Sequence, residues 1–497
     1  MRILLCNLLW LLSALPSWIQ FRIALFSPKQ AQKNTLRRIL RNSYLSQSDF
    51  QNLPLQNYED LFQNIGKIMR GEIHALTREA PLLLEPTGGS TSGTKLIPYT
   101  PSLKKEFQRA IDPWIAGLFL KWPSLLLGRH YWCITPSTPI EQESAVPIGF
   151  DTDAAYLGRL QQFVARHTLA VPQQTDEFNT LVHLLNTPDL RLISVWHPSL
   201  LTLMFQTLET RFDELLQTVE NTSPRRARQL REINCVPSKI WKKLKIISCW
   251  DSQPWVDQLQ TIFPSTSIQP KGLIATEGIT SLPLGANSNI TALRSHYYEF
   301  VSQKTGKLLP LWEIEQGQVY HLILTTGGGL YRYQTNDLVT VDGFFHRTPR
   351  LRFLTRNNMT SDLVGEKISL AHAERICKNL PCQYRFAMIT PEPHNKQFRY
   401  ALYIDTDSTK KLDTYLETEL CKNYHYRHAR NLRQLDRSVV RTVQNAEQKI
   451  TTHLLNKRQS AGSIKHFSLR QETNWELVLK RNSDGDPPSD EKISPPI

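Results

Sequence analysis

Residues 85–100 read Glu85-Pro-Thr-Gly-Gly-Ser-Thr-Ser-Gly-Thr-Lys-Leu-Ile-Pro-Tyr-Thr100, and the rest of the chain takes its meaning from this stretch. Gly88, Gly89 and Gly93 let the backbone turn tightly and aim its amides at an anion. Ser90, Thr91, Ser92 and Thr94 add hydroxyl donors, and Lys95 adds a positive charge. A loop of this composition is a phosphate cradle. Gly88 and Gly93 have the separation of a Walker A loop, but that motif sets Lys directly after the second Gly and then enters a helix. Here Thr94 intervenes, and Pro98 blocks the helix. A short extended run follows instead. The competing reading of the loop alone is a polar surface linker.

The chain has 497 residues, 40% of them hydrophobic, which is enough for a large core divided among two or three structural units. Its net charge of +14 suits an enzyme handling ATP and carboxylates, and equally permits nucleic acid or anionic membrane as partners. The densest basic cluster, Arg225, Arg226, Arg228 and Arg231 followed by Lys239, Lys242, Lys243 and Lys245, matches no nucleic-acid motif and reads as a solvated helical face. Seven scattered cysteines, without zinc-site spacing, read as reduced thiols of a cytoplasmic protein.

Residues 3–26 are largely apolar, with Pro16, Gln20 and Arg22 as interruptions. The longest clean run, 3–15, is too short to span a bilayer, and no small-residue cleavage site follows. The stretch reads as a buried or interfacial helix, with peripheral membrane contact left open.

From residue 101 to 263 strand and helix patterns alternate. Strands are expected over 129–135, 190–196 and 245–250, and helices over 103–119, 152–167, 177–185, 197–218 and 254–263. This alternation predicts an α/β domain with a substantially parallel sheet. Beyond Thr280 the pattern becomes β-rich, with strands over 297–301, 318–326, 329–333 and 337–341 and a turn at Gly327-Gly-Gly329. From about Arg356 a small α/β module begins, with strands over 384–390, 398–404 and 438–443 and a long helix over 410–424. Residues 481–497, rich in Asp, Ser and Pro, read as a disordered tail.

Three further segments follow the loop in order. Lys271-Gly-Leu-Ile-Ala-Thr-Glu-Gly278 carries Thr276 and Glu277; Tyr331-Arg-Tyr-Gln-Thr-Asn-Asp-Leu-Val339 carries Asp337; and Pro349-Arg-Leu-Arg-Phe-Leu-Thr-Arg356 ends on an arginine. Each alone is equally a surface carboxylate, a turn residue or a solvated charge. Their joint occurrence around the loop is the signal. Together with Leu53-Pro-Leu-Gln-Asn-Tyr-Glu-Asp60, Ile193-Ser-Val-Trp-His-Pro-Ser199, Gly365-Glu-Lys-Ile368 and Gly462-Ser-Ile-Lys465, they give a collinear match over about residues 26–469. On these motifs the chain resembles the Gretchen Hagen 3 (auxin-responsive promoter) family of acyl-acid-amido synthetases, in its bacterial-type form, within the luciferase-like adenylate-forming superfamily.

The resemblance implies a large N-terminal adenylation domain of mixed sheets, helices and a β-rich segment, residues 1–355, and a small mobile C-terminal α/β domain, residues 356–480. It implies two half-reactions. A carboxylate attacks the α-phosphorus of Mg·ATP to give an acyl-adenylate and pyrophosphate, and an amine, usually that of an amino acid, then displaces AMP. Neither step needs an enzyme nucleophile, so alignment and charge neutralisation supply the catalysis. By the same resemblance Ser90, Thr91, Ser92, Gly93, Thr94 and Lys95 hold the β- and γ-phosphates, and Thr276 donates to the α-phosphate. Glu277 ligates Mg2+, an ion that keeps several waters and few protein ligands. Asp337 accepts from the ribose hydroxyls, Arg356 touches ribose or phosphate at the domain junction, and Lys465 swings onto the α-phosphate during adenylation. Lys367 is a second candidate for phosphate contact or an interface salt bridge.

One departure stands out. Asn336 occupies the position of a glycine in the family's ribose motif, and Asn tolerates a left-handed backbone better than most residues. Transfer of the acyl group to a thiol such as coenzyme A, or a degenerate nucleotide-binding scaffold, are the competing functions. The acid pocket is expected between the β-rich segment and the regions of Trp196, His197 and Trp250, where aromatic walls suit an aromatic or a fatty acyl group equally.

Overall fold

The computed structural model describes residues 1–86, 95–133, 144–149, 159–171, 176–195, 198–251, 255–284, 289–356, 360–361, 363–364, 366, 368–394, 397–408, 411–456 and 467–480. These residues fall into two compact units, one up to Arg356 and one from Thr360 onward.

The first unit starts with the helix Arg2–Ala24, which continues through Pro16. Proline was expected to interrupt it. Packing of the inner face, Trp10, Ala14 and Phe21, all buried, outweighs the one hydrogen bond lost there. Among the described residues it is the one helix long and apolar enough to cross a membrane by length and composition, although the clean run 3–15 looked too short. The next helix, Pro28–Leu40, starts with proline at its first position, and Tyr58–Met69 begins at a capping box of Asn57 and Asp60. Strands β1 (Leu83–Pro86) and β2 (Leu96–Tyr99) pair antiparallel, so Pro86 and Leu96 face each other at the two ends of the predicted phosphate loop. The loop itself, 87–94, lies outside the described residues. Thr100 then caps the helix Pro101–Lys121 by accepting from Leu103 N at 3.1 Å, with Pro101 at the first helical position.

Strands β3 (Arg129–Trp132), β4 (Leu190–Ser194), β5 (Ile246–Cys249) and β6 (Ser267–Pro270) form a fully parallel sheet in that order. Helices cover it, so Leu190, Leu192, Ile193, Ile246 and Ile247 are all buried. The single helix expected over 197–218 is two, Ser199–Thr210 and Phe212–Thr222. The break falls at Arg211, whose backbone leaves the helical region while its guanidinium pairs with Glu214. Arg226 of the basic cluster is no simple solvated charge, since it bonds the carbonyls of Leu185 and Ile240.

Strands β7 (Ile274–Ala275) and β8 (Gly278–Ile279) form a small hairpin. Strands β9 (Ser281–Pro283), β10 (Asn289–Thr291), β11 (Tyr297–Ser302), β12 (Leu308–Pro310), β13 (Val319–Thr325), β14 (Tyr333–Phe345) and β15 (Thr348–Arg356) build a seven-stranded antiparallel sheet, ordered β12-β11-β13-β14-β15-β10-β9. Residues 329–333 and 337–341, read as two strands, resolve into a turn and the single long strand β14. Gly329 and Arg332 carry the turn with φ of 92° and 48°. Pairing of β14 with both β13 and β15 carries the strand past Asn336.

The second unit has β16 (Thr360–Ser361) paired with β17 (Ile368–Ser369), then a three-stranded sheet of β18 (Phe386–His394), β19 (Gln397–Asp405) and β20 (Val439–Thr442). β18 runs antiparallel to β19, and β20 parallel to it. Helices Leu370–Lys378 and Asp413–Leu420 pack on Leu402, Ile404 and Tyr400. The long helix expected over 410–424 ends at Leu420, and Asn423 restarts a second one, Tyr424–Asn431, by accepting from His425 N and Tyr426 N. The tail 481–497 lies outside the described residues.

Candidate active site

Lys95 enters β2 at the exit of the phosphate loop. Its ammonium lies 5.2 Å from the ring centroid of Tyr58, a cation–π contact. The Tyr58 hydroxyl in turn accepts from Leu96 N at 2.8 Å, and burial raises its pKa. Tyr58 belongs to the conspicuous Leu53-to-Asp60 motif, whose role is therefore to fix the backbone on which Lys95 stands.

That motif is also tied to the ribose segment. Gln56 N donates to Arg332 O at 3.0 Å, and Gln334 N donates back to Gln56 O at 2.9 Å. Arg332, the centre of Tyr331-Arg-Tyr333, is turned to structural work. It forks onto Glu299 at 3.0 and 3.1 Å, donates to Leu53 O at 2.7 Å and lies over the Phe50 ring. Four residues on, Asn336 has φ of 64°, the left-handed region that glycine would supply. Asp337 follows, its backbone amide donating to Thr335 Oγ1 at 3.2 Å, and it pairs in register with Arg356 across β14 and β15. Asp337, expected at the ribose, and Arg356, expected at the ribose or phosphate, thus sit opposite each other in register.

Thr276 and Glu277 form the tip of the β7–β8 hairpin, between the paired Ala275 and Gly278. Glu277 is 5% exposed. The hairpin rests on His296, whose Nε2 accepts from Ile279 N at 3.0 Å. A Cβ on Gly278 would lie 2.8 Å from that nitrogen, so the close approach requires glycine. Because Nε2 accepts, Nδ1 carries the proton and donates to Glu106 at 2.8 Å. Glu106 also accepts from Gly327 N at 3.0 Å, and Gly327 O accepts from Thr100 Oγ1 at 2.8 Å.

A single buried carboxylate therefore connects the hairpin of Thr276 and Glu277, the glycine turn leading to Asp337 and the end of the strand begun by Lys95. Sequence reasoning missed Glu106 and His296. Glu106 is one carboxylate in a helix, and His296 sits in a run with no motif around it, so no local signal marks either. Ser90, Thr91, Ser92, Gly93, Thr94, Lys367 and Lys465 lie outside the described residues, as do Trp196 and His197. Arg356 is placed by its backbone alone. Trp250 meets Phe353 of β15 edge to face, 5.5 Å between centroids, which joins the parallel sheet to the antiparallel one.

These residues fit ATP and magnesium in kind. Among the described residues no three His, Cys, Asp or Glu side chains gather into a metal cage. One carboxylate and one hydroxyl at a hairpin tip suit a cation that keeps its waters and is held largely by phosphates.

This architecture is the adenylate-forming fold. It matches the solved AtGH3.15 acyl acid amido synthetase in complex with 2,4-DB at a TM-score of 0.78 with 16% identity, covering 93% of this chain and 95% of that one. A second GH3.15 structure gives 0.73 at 17% identity, covering 92% and 94%. Three family models match in succession, the GH3 family N-terminal domain over residues 27–268, central domain over 289–356 and C-terminal domain over 371–474. The chain belongs to the GH3 family. Curated relatives match over shorter segments. The indole-3-acetic acid-amido synthetase GH3.6 of Arabidopsis thaliana is 31% identical over 20% of this chain and 16% of its own length. GH3.17 of the same plant is 32% identical over 21% of this chain and 17% of its own. The chain thus aligns with less than a fifth of the length of these relatives.

Proposed function

We propose that the protein is an ATP-dependent ligase that converts a carboxylic acid to an acyl-adenylate and transfers the acyl group to an amine, the acceptor being an amino acid. Membership of the GH3 family across three domains supports this reading, as do the activities named for its relatives. The observation that favours an active enzyme over a degenerate scaffold is Asn336. It holds the left-handed geometry of the missing glycine and keeps Asp337 at its register opposite Arg356.

In this mechanism Lys95 and the hydroxyls of residues 90–94 neutralise the β- and γ-phosphates. Thr276 donates to the α-phosphate, and Asp337 orients the ribose, with Arg356 alongside. Glu277 holds the hydrated magnesium ion, which when bound screens the triphosphate against the incoming carboxylate. Lys465 adds a positive charge at the α-phosphate as pyrophosphate leaves. Glu106 and His296 take no part in the chemistry; they hold the hairpin in place. Residues 1–355 would form the adenylation domain and 356–480 the cap. The seven free thiols suit a cytoplasmic enzyme.

The test is pyrophosphate release from Mg·ATP across aromatic, indolic and fatty acids without an amine, followed by amino acids and coenzyme A as acceptors. Release dependent on one acid class and lost in Lys95→Ala and Glu277→Ala supports the proposal. ATP binding with no acid-dependent release across the panel counts against it. Consumption of coenzyme A in place of an amine replaces the acceptor assigned here.

A further inference from the structure

The helix Arg2–Ala24 is apolar on two faces, and the fold uses only one of them. On the inner side Asn7 Nδ2 donates to the carbonyls of Leu125, Leu126 and Gly128, and Trp10 packs against Phe119, His130 and Trp132. Beyond the helix end, Leu25 O accepts from Arg347 N and from Thr348 Oγ1. These bonds fix the helix along the body of the first unit. Crossing a bilayer would require stripping all of them away.

The outer side carries Leu5, Leu8, Leu9, Leu12, Ile19 and Ile23, between 38% and 65% exposed, and Phe26 continues the line at 54%. The spacing puts them on one stripe. Single exposed apolar residues are ordinary, but a continuous stripe marks a contact surface. The elements packed against this helix expose apolar side chains too. The helix Arg159–Thr168 packs along the first helix and leaves Leu160 and Phe163 exposed, while Leu120 and Leu127 are exposed on the segments packed beside it.

Charge identifies the occupant. The first 48 residues hold seven Lys and Arg and no Asp or Glu. Arg22 lies over the rings of Trp18 and Phe345 at 5.7 and 5.5 Å, an aromatic–cation pairing at the edge of the stripe. A second copy of this face would bring like charges together. An anionic bilayer instead offers acyl chains to the leucines and phosphates to the cations. We propose that the outer face of helix Arg2–Ala24 docks the protein onto an anionic lipid surface, with the helix lying in the plane of the interface.

The experiment is flotation of the full chain with vesicles of phosphatidylcholine alone and of phosphatidylcholine with phosphatidylglycerol, at low and high salt. Binding is expected on the anionic vesicles, weaker on the neutral ones and reduced by salt. Leu8→Asp with Leu12→Asp and Ile19→Asp should weaken partition at least about a hundredfold, because three apolar side chains leave the interface. Ile23→Asp, at the most exposed position of the six, serves as the variant least able to disturb folding, and it should weaken binding about tenfold. Light scattering after gel filtration, run in parallel, reports self-association. Three results would overturn the proposal: no flotation with either vesicle, binding that both variants leave unchanged, or a dimer without vesicle binding that the triple variant dissolves.

Discussion

Nδ1 of His296 donates to the Glu106 carboxylate at 2.8 Å, with both side chains sealed from solvent. The pair is a positioning device. It reaches the hairpin of Thr276 and Glu277 through Ile279 N and the glycine turn through Gly327 N, so motifs far apart in the chain share one support. Removing either partner costs the other its buried side-chain bond, although Glu106 keeps Gly327 N and His296 keeps Ile279 N. His296→Ala should cost about 2–4 kcal/mol of stability, read by urea unfolding. It should also lower acid-dependent pyrophosphate release more than it lowers ATP affinity, because the disturbed element carries Thr276 and Glu277, the residues proposed for the α-phosphate and magnesium. Unchanged release per folded molecule would remove the positioning role.

Asn336 tests whether the turn proposed to hold the ribose survives without glycine. Asn336→Gly should be close to neutral, since glycine adopts φ of 64° without strain. Asn336→Val should cost about 1–2 kcal/mol for the left-handed backbone and raise the KM for ATP. Urea melts and an ATP titration of both variants separate the two effects.

Lys95 and Tyr58 form a graded series. Lys95→Ala removes the loop's only ammonium and should lower kcat/KM for adenylation by about a hundredfold. Tyr58→Phe keeps the ring beneath Lys95 and loses the hydroxyl that accepts from Leu96 N. It should cost about 1 kcal/mol of stability and only a small part of the activity.

Asp112, on the helix Pro101–Lys121, has its carboxyl pushed up to about 7 by burial. The folded protein therefore holds this proton over a range where the unfolded chain, at the ordinary 3.8, has released it. The contribution to stability is greatest below pH 4 and falls as pH rises toward 7. Asp112→Asn removes that penalty. The variant should melt above the wild type at pH 8 and together with it at pH 4, a comparison made by thermal denaturation at the two pH values.

Glycine at 328 is needed for space: a Cβ there would come within 2.6 Å of Pro98 O. Gly328→Ala should push β2 and the glycine turn apart, lowering the melting temperature by several degrees and weakening ATP binding with it.

Much of this was legible in the chain. The parallel sheet followed from short β-branched and leucine-rich runs alternating with helical ones, and strands β3, β4 and β5 lie where those runs fall. Asn336 was readable because one residue type substitutes for glycine at a positive φ. The missed features are of two kinds. Boundaries went wrong where a long-range contact overrode local pattern: β14 runs through the expected gap because two neighbours pair with it, and the first helix passes Pro16 because its inner face is packed. The supporting residues Glu106 and His296 were invisible for a different reason. They are 190 positions apart, and only the fold makes them a pair. Arg332 misleads in the opposite sense, as a conspicuous motif arginine that holds the sheet to the Leu53 segment.

The bond from Thr348 Oγ1 to Leu25 O spans 323 residues. During synthesis the apolar helix Arg2–Ala24 leaves the ribosome long before β15, so part of its binding surface does not exist until that strand has begun. At ordinary elongation rates that interval is roughly a quarter of a minute to a minute. Its inner face meets Phe119, His130 and Trp132 early, but throughout the interval its outer face stays bare and its end lacks the Thr348 anchor. Its early life is thus a problem of protection: a chaperone or a lipid surface that covers the outer face during translation would shield it from aggregation.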